Sequence, residues 1–236
     1  MVRKTFAILV TICLMVVLLA GCGGKKAATE VKYPTKPITI LVPYAAGGAC
    51  DMMVRIMEPS LAKKMGQPIV VVNKPGGSGS VAMLEALKSK PDGYTLVAAT
   101  SGPGSITPHV TNVGYTNKDF QPISIILDLP LGIGVPADSP FKTVNDFFEY
   151  AKKNPNQLRV STPGPTQTQH ITMQQMAEER GVKINLVPFN GGAEALTAIL
   201  GKNVDATSTA VTEMASHAKA GKLRILGITA EKRAFV

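Results

Sequence analysis

The chain has 236 residues, 45% of them hydrophobic and 17% charged, with a formal net charge of +9. That length fits one large domain or two lobes of about 100 residues each, and the composition is that of a globular protein. Its lysines and arginines are scattered without interleaved aromatics, which argues against a nucleic-acid partner.

Arg3 and Lys4 precede an apolar run over residues 6–20, with small residues after it. A membrane span needs about 20 apolar residues, so this run reads as an export signal. Leu19-Ala20-Gly21-Cys22 resembles the lipobox of bacterial lipoproteins. That resemblance implies a signal peptide over 1–21, a lipidated Cys22 that ties the chain to a bilayer, and a solvated tether over 22–36. Cys13 would leave with the signal, so Cys50 alone would remain and no internal disulfide could form. Without Arg3 and Lys4 the balance is 23 basic against 16 acidic residues, a net +7.

Ile38-Thr39-Ile40-Leu41-Val42 suits a strand, and a helix is expected over 51–65, with Met52, Met53, Ile56 and Met57 at helical spacing as helix core. Pro59 should kink that helix or shift its start. Between strand and helix lies Pro43-Tyr44-Ala45-Ala46-Gly47-Gly48-Ala49-Cys50-Asp51. Paired glycines let the backbone approach a bound group closely, and the helix start offers unpaired N–H groups to a small anion. An ordinary tight turn is the competing reading.

Ile69-Val70-Val71-Val72 reads as a parallel strand covered on both faces. It leads into Asn73-Lys74-Pro75-Gly76-Gly77, a second glycine turn, and a helix over 80–88 with Val81, Leu84 and Leu87 on one side. Two such turns at the carboxyl ends of neighbouring parallel strands would meet at the sheet edge where open α/β sheets bind ligands. A third strand over 94–99, a small polar loop over 100–105 that could face a ligand, and another strand beginning near Phe120 and reaching Leu127 complete a first lobe, 37–129. Pro130, Gly132, Gly134 and Pro136 punctuate the crossing into a second lobe, 130–227.

In that lobe Thr143 caps a helix through Lys153, with Val144, Phe147, Phe148 and Ala151 buried. Strands are expected over 158–161, 183–187, 204–210 and 223–228, alternating with helices over 170–180, 193–200 and 211–220. Residues 228–236 would begin a crossover back to the first lobe. The expected class is α/β, each lobe a mostly parallel sheet flanked by helices.

Tyr33-Pro34-x-Lys36-Pro37-Ile38, the residues 42–51 loop, Gly66-Gln67-Pro68, Asn73-Lys74-Pro75-Gly76-Gly77, Pro91-Asp92-Gly93-Tyr94-Thr95-Leu96 and Gly221-Lys222-Leu223-Arg224 together resemble the substrate-binding proteins of tripartite tricarboxylate transporters, the Bug receptors. The resemblance implies a two-lobed fold of the type II periplasmic-binding-protein kind that closes on a small carboxylate and hands it to a membrane permease. It also implies an extracytoplasmic location, no catalysis and no cofactor, and a monomer is expected. Its first-lobe carboxylate loop falls on Tyr44, Ala45, Ala46, Gly47, Gly48 and Asp51, and the neighbouring loop on Asn73, Pro75, Gly76 and Gly77. In the second lobe the ligand loops fall on Thr162, Gly164, Thr166 and His170, and on Phe189, Asn190 and Gly191. Pro165 and Thr166 stand where the family has Gly and Ser, and Phe189-Asn190 where it has Tyr and Lys or Arg, so a phenol and a cation are absent from the distal end. The family also continues past the Gly-x-x-Arg segment to finish the first lobe, which makes this chain a fragment or a truncated frame by expectation.

Some residues carry two readings. Asp51 caps its helix or accepts from a ligand amine or hydroxyl; His170 holds its loop or binds ligand. Cys50 is a small buried hydrophobe or, at a helix start, an activated thiol of an exported enzyme. The three histidines lack ligand spacing, so no metal is expected. A receptor that presents its acid to a membrane sensor is the alternative to permease delivery.

Overall fold

The computed structural model describes residues 32–232. The export signal, Cys22, most of the tether and the last four residues of the expected crossover lie outside them. The described residues from Lys36 to residue 232 form one compact unit built on two sheets.

The first sheet has three parallel strands in the order β2-β1-β3: β1 (Ile38–Val42), β2 (Ile69–Asn73) and β3 (Thr95–Val97). Helix α1 (Ala49–Met65) follows β1, and α2 (Ser80–Lys88) follows β2. Ile38, Ile40, Val42, Val54 and Ile69 form its core, with Met53, Leu61, Ala62 and Met65 packed against them. α1 starts two residues earlier than expected and runs on through Pro59, whose ring lies on the solvent side, where water can take the carbonyl it leaves unpaired. Met52 and Ile56 are exposed, so the methionine stripe is only partly core.

Further expectations are corrected here. β2 is an edge strand with Val70 exposed, not one covered on both faces. α2 buries Ala82 and Met83, while Val81 and Leu87 of the expected apolar side are exposed. Residues 102–110 are not a loop but a π turn running into α3 (Thr107–Val110). Nor do residues 120–127 join a sheet: Ile123, Ile125, Ile126 and Leu127 are exposed and unpaired with any strand.

The second sheet has five strands in the order β6-β5-β7-β4-β8. They are β4 (Leu131–Pro136), β5 (Arg159–Thr162), β6 (Asn185–Pro188), β7 (Ala206–Ala210) and β8 (Leu223–Ile228). β5 runs parallel to β6 and β7, while β4 runs antiparallel to β7 and β8, so four of the five strands share one direction. The glycines that read as punctuation lie inside β4: a Cβ on Gly134 would sit 2.5 Å from Met214 Sδ, and one on Gly132 2.8 Å from Met214 Cε. They make room for a buried methionine rather than for a turn.

Helices α4 (Val144–Lys153), α5 (Thr168–Glu179), α6 (Gly192–Leu200) and α7 (Val211–Lys219) flank this sheet. Thr143 caps α4 in a full capping box with Asp146. Phe147, Phe148, Leu158, Val160 and Met173 form one core, and Leu196, Ile199, Val204, Met214 and Leu223 another.

Candidate functional site

The turn from β1 into α1 is built on Gly47, whose φ of +85° only glycine adopts freely, and on Gly48 at the N-cap of α1. Asp51 is 2% exposed and accepts from Gly47 N at 2.9 Å, Arg55 Nε at 3.0 Å and Asn73 Nδ2 at 2.9 Å. Asn73 Nδ2 also donates to Tyr44 O, and Arg55 Nη2 donates to Asn73 Oδ1. Burial works to raise the Asp51 carboxyl, but the Arg55, Gly47 and Asn73 bonds together hold it below the usual carboxylate range. Asp51 and Asn73 therefore spend their polar atoms on fixing the loop from beneath.

In the second turn Gly76, Gly77 and Gly79 all have positive φ. A Cβ at Gly79 would lie 2.9 Å from Pro103, so that glycine packs two loops together. Pro75 and Gly77 are exposed, and Gly76 and Gly77 have their close neighbours in their own helix, at Val81 and Ser80.

From the second sheet, the loop after β5 brings Gly164 close to Ser78 Oγ and places Thr166 Oγ1 2.6 Å from Thr107 Oγ1. Thr162 is fully buried and bonds His170 Nδ1 at 2.9 Å. Burial lowers the His170 pKa, and the ring bonds a residue of its own loop. Asn190 is exposed and bonds Glu194. Gly191, with φ +136°, would place a Cβ 3.2 Å from Tyr44 Cβ.

Two side chains that sequence reading did not single out tie the halves together. Gln167 is 4% exposed, accepts from Tyr44 Oη at 3.0 Å and donates through Nε2 to Ser78 O at 2.9 Å. Tyr44 also bonds Thr100, and its burial raises the phenol pKa. Glu213 reaches from the first turn of α7 to the start of α1: Oε1 accepts from Ala49 N at 2.9 Å and Oε2 from Ala210 N at 3.3 Å. The latter is half of a capping box; the Ala210 methyl has no acceptor for the other half. Burial pushes the Glu213 carboxyl above the usual range, against the pull of the two N–H bonds.

The two main-chain donors at Gly47 and Ala49, expected to grip a ligand, thus serve Asp51 and Glu213. What remains open lies beside them. A groove of about 500 Å³ runs from Ala45 and Ala46 past Phe189 and along α6 at Ala193, Glu194, Thr197 and Ala198 to Asn203. Of the expected site residues, the structure gathers Tyr44, Ala45, Ala46, Gly48, Phe189 and Gly191 around this junction and groove. Asp51, Asn73, Thr162 and His170 make hydrogen bonds within and between the loops. Cys50 is half-buried, donates to Ala98 O at 3.2 Å and has its thiol pushed up to about 12 by burial, with Asp51 and Glu213 adding to the shift. It is not an activated nucleophile.

Residues 53–235 match the family described as the tripartite tricarboxylate transporter family receptor. A Cupriavidus necator protein, "UPF0065 protein in gbd 5'region", is 36% identical over 203 residues, 86% of this chain and 62% of its own length. The chain thus spans under two thirds of that relative. MatC from Rhodopseudomonas palustris, solved with bound malate, has a TM-score of 0.80 at 26% identity over 85% of this chain and 69% of its own. The periplasmic binding protein BugD gives 0.77 at 29% identity over 85% and 68%.

Proposed function

Because the chain belongs to the tripartite tricarboxylate transporter receptors, we propose that it is a solute receptor that captures a small organic carboxylate outside the cytoplasm and delivers it to a membrane permease. The observation that carries this reading is the convergence of loops from both sheets. Gly191 packs on Tyr44, and the Cβ position of Gly48 lies 3.8 Å from Ala193 N. The first-turn N–H groups of α6, at Gly192 and Ala193, have no acceptor within the helix and sit at its positive end. Ala193 lines the groove together with Ala45 and Ala46, and we assign the carboxylate to this end of α6. Each charge-assisted bond there contributes about 1.5–3 kcal/mol.

Capture needs no chemistry. The Tyr44–Gln167–Ser78 and Ala49–Glu213 contacts are made only when the two halves meet, so they favour the closed form that a permease would recognise. Anchoring through Cys22 would keep the receptor, a monomer, near its partner.

The test is a thermal-shift screen of mono-, di- and tricarboxylates on the chain. A ligand that binds only the folded form raises the melting temperature, whereas a screen in which no acid does so overturns the reading.

A further inference from the structure

We propose that the acid is a monocarboxylate with an uncharged, apolar tail, and that the tail lies along α6 against Phe189; this rests on the receptor reading above. The groove's lining is mainly carbon: Ala45, Ala46, Phe189, Ala193 and Ala198. Its polar members do not offer what a second carboxylate needs. Thr197 Oγ1 donates to Ala193 O at 2.9 Å, so the hydroxyl is turned to its own helix. Asn203 is a neutral amide. Among the described residues Glu194 is the one charged group in the lining; it sits in the first turn of α6, its Oε2 accepting from Asn190 N at 3.2 Å.

Among the described residues no lysine or arginine lines the groove. Lys202, next to Asn203 in the chain, pairs with Asp138 at 2.7 Å, and Arg55 of α1 is committed to Asp51 and Asn73. A second carboxylate at the far end, by Thr197, Ala198 and Asn203, would lose water and find no charged partner in the lining. An alkyl or aryl tail loses nothing by the same transfer and gains contact with the Phe189 ring.

Hexanoate and adipate have the same six-carbon backbone and differ in whether the far end is a methyl or a carboxylate. Isothermal titration of the chain with each is expected to show hexanoate binding about tenfold or more tighter. Thr197→Lys, which places an ammonium on the groove wall, should narrow or reverse that ratio. Phe189→Ala should weaken hexanoate while leaving acetate unchanged, with circular dichroism checking that each variant stays folded. Adipate binding as tightly as hexanoate to the unaltered chain, or a ratio indifferent to Thr197→Lys, overturns the inference and leaves the receptor reading standing. Silence from these acids and from the whole carboxylate panel overturns both.

Discussion

Gly192→Ala isolates the contact on which the two halves meet. A Cβ at Gly192 would lie 2.1 Å and 2.2 Å from the two carboxylate oxygens of Glu213, well inside contact distance. The carboxylate ends a flexible side chain and can swing away, so the steric cost itself is small. Swinging away breaks its bonds from Ala49 N and Ala210 N. Hydrogen bonds to a charged group contribute about 1.5–3 kcal/mol each, and the partial exposure of Glu213 places the pair near the low end, roughly 3 kcal/mol. Alanine returns up to about 1 kcal/mol of helix propensity, less at the first position of a helix. The expected net loss is roughly 2–3 kcal/mol. Urea unfolding of a double-mutant cycle reads it out. In a Glu213→Ala background the same glycine substitution should be neutral or slightly stabilising, a coupling of about 2 kcal/mol or more. Equal costs in both backgrounds would refute the argument, because the loss would then come from the glycine position and not from the carboxylate it accommodates.

Gln167→Ala should destabilise by about 1–3 kcal/mol in chemical denaturation, since it strips partners from the Tyr44 hydroxyl and the Ser78 carbonyl; combined with Tyr44→Phe the losses should fall short of additive. Asp51→Asn should cost about 1–3 kcal/mol at neutral pH. The folded Asp51 carboxyl titrates below its ordinary value, so its contribution is present above about pH 4 and disappears as the pH falls through the folded pKa; the two unfolding curves should converge in acid. Cys50, with its thiol pushed up to about 12, should react with iodoacetamide at pH 8 at least about a hundredfold more slowly in the folded chain than in denaturant, as followed by mass spectrometry.

The fold was legible where local chemistry decides it. β1, the cap at Thr143 and the αL glycine Gly66 that ends α1 could be read from a few adjacent residues. So could the β–turn–helix order that brings glycine turns to both sheets. What escaped depends on distant partners. Gly132 and Gly134 look like breakers until Met214, some eighty residues on, is seen to fill the space they leave. Residues 120–127 carry strand-forming side chains, but a strand needs a neighbour to pair with, and sequence composition does not supply one.

The candidate site divides the same way. The turns were found, but the roles within them were exchanged: Asp51 and Asn73 serve the loop, while Gln167 and Glu213, 123 and 164 residues from their partners at Tyr44 and Ala49, cross between halves. Glu213 did leave a trace, an acidic residue three positions after the strand-ending Ala210, which is the spacing of a capping box. Its second contact left none. Phe189, noted for replacing a family tyrosine, became informative only beside the alanines of α6.

The melting temperature of the chain across a hexanoate titration tests the central claim most directly. A carboxylate held where the Ala45–Ala46 loop meets the start of α6 should raise it steadily with the logarithm of concentration once the site is full, and Gly191→Val, which drives a side chain into Tyr44, should flatten that rise. A melting temperature that stays level with hexanoate and with every other carboxylate, while the chain remains folded, would contradict the account.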